Sequence, residues 1–133
     1  MNKELIQLIN IILYRLEKSI QNANQEYYDF QVGNESRSPS EILWHLVDVS
    51  NYGLNILDAP KSSSTQGSTL EIINENFAIM KSRLSEEKLD EEISRKLING
   101  PLSDTLTHIG QLAYLRRLEG NAIDWENYTN AAT

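Results

Sequence analysis

The chain contains two histidines and no cysteine, so any metal chemistry falls to imidazole and carboxylate. Both histidines lie on apolar stripes of helical spacing. His45 follows Ile42 by three residues and precedes Val49 by four, and His108 shares a face with Asp104, Leu112 and Leu115. Asp104-x-x-x-His108 puts two donor side chains one turn apart on one side of a helix, the geometry with which a helix presents two ligands to one metal. A third ligand from a facing helix would make two histidines and one carboxylate. Positions would stay open for water or substrate, as in catalytic rather than structural sites. Alone, the spacing is a weak motif. A histidine on an apolar face is more often a satisfied core residue, and an acid near a helix start is stabilised by the helix dipole without any metal. Asp48, one turn after His45, is placed to orient an imidazole or to accept a proton from a water at the metal. Its alternative is a solvated position on the helix surface.

Four amphipathic helices are expected to position these residues. Leu5, Leu8, Ile9, Ile12, Leu16 and Ile20 describe a helix from about Lys3 to Ala23. Ser38-Pro39-Ser40-Glu41 opens a second, with Ser38 as cap, Pro39 at the first helical position and Glu41 closing a capping box. Its stripe runs through Ile42, His45 with Leu46, Val49, Tyr52 with Gly53, and Ile56, and ends before Pro60. An exposed serine-rich connector over 61–67 leads to another capping box, Ser68 to Glu71. The helix beyond it carries Leu70, Ile73, Phe77, Met80 and Leu84. Residues 85–99 read as a short or broken helical return stopped by Asn99-Gly100-Pro101. The last helix runs from about Pro101 to Glu119 and is closed by Gly120. No stretch alternates with the period of a strand. The expectation is one all-α domain over 1–133, a four-helix bundle.

Composition narrows the function classes. With 133 residues, 40% hydrophobic and 23% charged, the chain can bury a core without disulfides or a structural metal. A net charge of −7 with no basic cluster speaks against nucleic acid as partner. The apolar stretch Leu5–Tyr14 is interrupted by Gln7 and Asn10, no cleavage site follows it, and no run reaches a membrane span. A soluble, cytoplasmic protein is expected, without membrane or nucleic acid as partner. There is no phosphate-binding glycine loop and no hydrolase elbow. Trp44, Tyr52 and Trp125 are expected to pack, and Glu126-Asn127-Tyr128 to dock. Arg116 and Arg117 are expected either to steer an anionic substrate or to meet the dipole and a nearby Glu in the last helical turn.

Two segments resemble the DinB/YfiT-like family. Ser38-Pro39-Ser40-Glu41-Ile42-Leu43-Trp44-His45-Leu46-Val47-Asp48 is similar to that family's S-P-x-E-I-x-x-H-L-x-D. Asp104-Thr105-Leu106-Thr107-His108-Ile109-Gly110-Gln111-Leu112, followed by Leu115-Arg116-Arg117 and Gly120, is similar to its H-x-x-x-H-R-G-Q-L and L-R-x-x-G. The resemblance implies a four-helix bundle with a long crossover and a metal held by one ligand from the second helix and two from the last. Carried over by position, these are His45, Asp104 and His108. Asp104 stands where the family has a third histidine, and Ile109 where it has an arginine. The implied cofactor is a divalent metal, zinc or nickel foremost and iron or manganese next, since carboxylate oxygen suits harder ions. The implied activity is metal-dependent chemistry on a small molecule, a hydrolase or a low-molecular-weight-thiol transferase, in a chain that can form a homodimer. The alternative is a non-catalytic helical module that keeps the fold for binding or dimerisation.

Overall fold

Leu5, Ile9, Ile12 and Leu16 are buried, so the first apolar stripe does become the inner face of a helix, α1, over Lys3–Ile20. The computed structural model describes residues 2–62 and 67–133. Among these are three further long helices, α2 (Pro39–Ile56), α3 (Thr69–Glu86) and α5 (Ser103–Glu119), with a short α4 (Glu91–Leu97) between the last two and no strand. Among the described residues no helix is long and apolar enough to cross a membrane. Of the expected connector over 61–67, residues 63–66 lie outside the described residues.

The helix starts form through side-chain caps that replace missing intrahelical partners. At α2 both halves of the capping box are made: the Ser38 N–H donates to Glu41 Oε1 at 3.0 Å, and the Glu41 N–H donates to Ser38 Oγ at 3.2 Å. The Ser38 contact holds the Glu41 carboxyl below its ordinary range. Ser68 Oγ accepts the Glu71 N–H at the start of α3, and Asp90 Oδ1 accepts the Ile93 N–H at the start of α4. Gly120 ends α5 at φ 99°, a conformation in which any side chain would be strained.

Packing arranges the long helices around one core. α1 packs on α3 and α5, and α2 packs on the same two, so α1 and α2 stand on a diagonal. The connection over 21–38 therefore crosses the bundle. It is anchored midway by a 3₁₀ turn, Gln25–Asp29, whose Tyr27 is fully buried and donates its hydroxyl to the Leu112 carbonyl at 2.6 Å. Leu112 lies one turn beyond His108, so the crossover is tied to the helix that carries two of the three candidate ligands.

Three expectations need correction. Asn99-Gly100-Pro101 does not stop the chain: α4 continues through a π turn, Ile98–Leu102, directly into α5. Proline cannot donate and crowds the preceding turn. The wide turn takes up that defect, and the Thr105 hydroxyl, at 2.7 Å, occupies the Pro101 carbonyl. Trp44, Tyr52 and Trp125 do not pack inside: they are 58%, 59% and 87% exposed, because helical spacing set them outside the buried stripe or beyond the last long helix. The tail does dock, through Glu126 on Tyr14 and Lys18 and through the Tyr128 ring against Tyr14 and beneath Arg15. Finally, Arg116 is buried. Its guanidinium donates to the carbonyls of Ser19, Gln21 and Asn121. It closes the C-terminal end of α1 and takes no part in steering a ligand.

Candidate metal centre

His45 lies in the second turn of α2 and Asp104 in the first turn of α5, directly after the π turn. Near this approach α2 carries a glycine, Gly53. A Cβ there would lie 2.8 Å from Cε of Met80 and 3.5 Å from Cβ of Pro101, so α2 has a bare surface where α3 and the π turn rest. The start of α5 packs on α2, and Asp104 lies beside His45.

Nε2 of His45 is 3.3 Å from Oδ2 of Asp104, and Nε2 of His108 is 3.4 Å from Oδ1 of the same carboxylate. The two imidazoles are nearly perpendicular, 79° between planes with centroids 4.7 Å apart. One donor atom from each of the three residues lies within 4.8 Å of the others, so the group could hold a metal ion. As direct hydrogen bonds these contacts are long. Each has about the length of a tetrahedron's edge, about 3.4 Å for metal–ligand bonds of about 2.1 Å. They end on different oxygens of Asp104, so a carboxylate giving one ligand atom supplies only one such edge. His108 is the most enclosed of the three, with 13% of its side chain exposed, while Asp104 at 44% opens the group to solvent.

Hydrogen positions sharpen the chemistry. Nδ1 of His108 is 2.7 Å from Oε1 of Gln111, and with that oxygen as acceptor Nδ1 carries the hydrogen. In the neutral ring the remaining lone pair is on Nε2, facing a carboxylate oxygen. Two electron-rich atoms then look at each other across a gap that a cation could fill. An outer partner on the far ring nitrogen is also what metal-bound histidines use to fix tautomer and orientation. Sequence reasoning missed Gln111 in this role. The signal was its position three residues after His108, on the same helical face.

Asp48 does not orient an imidazole. It is exposed and makes no hydrogen bond or ion pair among the described residues, so the orienting part belongs to Gln111. Asp48 does line a cleft of about 490 Å³ together with His45, Tyr52, Gly100 and Asp104. A second cleft, about 440 Å³, opens on His108 from the other side and includes Arg37, Gln111 and Tyr114. The three donor residues therefore stand between two clefts of the size small ligands occupy. Compared with models of protein families, with curated proteins and with solved structures, the chain matches none.

Proposed function

We propose that this protein is a metal-dependent enzyme acting on a small molecule, a hydrolase or thiol transferase of the DinB/YfiT-like type that its two segments resemble. The observation that carries the proposal is the His45–Asp104–His108 group with Gln111 behind it: three donors from two helices, one of them already oriented as a ligand. Nitrogen and carboxylate donors suit zinc or nickel, and also iron or manganese. A divalent ion held there supplies Lewis acidity and lowers the pKa of a coordinated water or thiol. Because the chain has no cysteine, a reacting thiol must come with the substrate. His45 and His108 would hold the ion from two helices, Asp104 would lower the net charge of the site, and the exposed carboxylate of Asp48 is the group in the adjoining cleft able to accept a proton.

Elemental analysis of protein purified without a histidine tag tests this. About one divalent ion per chain, lost in His45→Ala and in Asp104→Ala, is expected for three cooperating ligands. Protein that takes up no zinc, nickel, iron or manganese when titrated would sink the proposal. A second reading is a helical module that dimerises without chemistry, favoured by the exposed rings of Trp44 and Tyr52 on α2. Metal-free protein that is dimeric by light scattering, with Trp44→Lys monomeric, would support it.

A further inference from the structure

The cleft on the His108 side combines exposed apolar side chains with one formal charge. Val32, Tyr114 and Leu118 are large apolar side chains left exposed around it, and Arg37 is the one formally charged side chain among its described lining residues. Arg37 has no hydrogen bond and no ion pair among the described residues. Glu41 accepts the Ser38 N–H at the α2 cap through Oε1, and after that contact Arg37 also helps to keep its carboxylate charged. The loop that bears Val32 and leads to Arg37 is held in shape. The Ser36 hydroxyl accepts the N–H groups of Val32 and Gly33 at 3.1 and 3.0 Å and donates to the Gly33 carbonyl at 3.0 Å.

We propose that this cleft is the substrate pocket and that its ligands are small amphipathic carboxylates. Arg37 receives the carboxylate, whose two oxygens match the guanidinium fork. Val32, Tyr114 and Leu118 cover the apolar body, and the other end of the ligand lies toward His108. The choice follows from charge. A cation would meet Arg37, whereas a wholly apolar ligand would desolvate a guanidinium without pairing it. Because the chain carries −7 overall, nothing long-range draws anions in, and selectivity must come from this local contact. A volume of about 440 Å³ suits a small molecule rather than a protein segment. That the bound molecule is a substrate rests on the metal-enzyme proposal; that it binds does not.

The test uses metal-free protein and NMR titration with 4-phenylbutyrate, with 4-phenylbutyramide as its uncharged counterpart. The acid should shift the resonances of Arg37, Ile42 and Leu118 saturably, and the amide should bind about tenfold or more weakly, the worth of a charge-assisted fork. Arg37→Gln should bring the acid down to the amide's affinity while leaving zinc uptake unchanged. Leu118→Glu, at an exposed position, should weaken the acid more than the amide. Equal affinity for acid and amide, or shifts confined to another face, overturns the proposal. Selective acid binding by a protein that takes no zinc keeps the pocket and removes the metal enzyme. Zinc uptake without acid selectivity does the reverse.

Discussion

Oε1 of Gln111 lies 2.7 Å from Nδ1 of His108, and the ring's other nitrogen faces Asp104 at 3.4 Å. Outer partners of this kind typically contribute 10–100-fold in metal affinity. Gln111→Leu, at an exposed position, should therefore weaken zinc binding by about 10–100-fold and leave the melting temperature nearly unchanged. Competition against a chromophoric chelator measures it. An affinity equal to wild type would mean that Gln111 does not orient the ligand.

The fold should not depend on the metal. Its core is one cluster drawn from all four long helices, and none of the three candidate ligands belongs to it. His108→Ala should abolish metal binding yet retain helical content and a cooperative melt, at a cost of about 1–3 kcal/mol. Circular dichroism with and without chelator decides this. Unfolding by chelator would mark the site as structural and closed.

Metal affinity should fall on acidification. An imidazole must be unprotonated at the ligating nitrogen, so protons compete with the ion at two of the three ligands. Each ligand set has its own proton dependence: two histidines release more protons on binding than one. Calorimetry in buffers of different ionisation enthalpy counts them. Binding insensitive to pH across the mildly acid range would exclude both histidines as ligands.

Acid should also loosen the tail. The Tyr14 hydroxyl, at 2.6 Å, and then the Lys18 ammonium hold the Glu126 carboxyl below its ordinary range. A carboxyl depressed in the fold stabilises it fully above the unfolded value, and that contribution is lost as pH falls through the folded value. The gap in melting temperature between wild type and Glu126→Gln should therefore close between about pH 6 and about pH 3. A gap that stays constant would show that the contact contributes nothing through charge.

Arg116 should behave as structure, not as substrate contact. Its guanidinium serves the Ser19 and Gln21 carbonyls at the end of α1. Arg116→Met would leave these acceptors without their charged donor and should destabilise by about 1.5–3 kcal/mol per lost bond of this kind. Metal affinity should not change. Denaturant unfolding and zinc titration on the same variant separate the two effects, and a variant of unaltered stability would refute this role.

The amino-acid sequence alone determined the elements and the donor set. Periodicity and caps are local properties: the stripe from Leu5 to Ile20, the box from Ser38 to Glu41 and the stop at Gly120 each involve residues a turn or so apart, and all three formed as expected. The pairing of Asp104 with His108 was legible for the same reason. Only the tertiary structure decided what depends on the approach of distant segments. His45 meets Asp104 only once α2 and α5 have packed, a contact between residues 59 apart in the chain with no local trace. Pro101 read as a break because a proline does break a helix of ordinary pitch, and nothing in the residue string says that the turn will widen instead. Trp44 and Tyr52 read as core because aromatic residues usually are. Their exposure follows from which side of α2 meets α3 and α5, and that choice is made by packing the whole bundle at once.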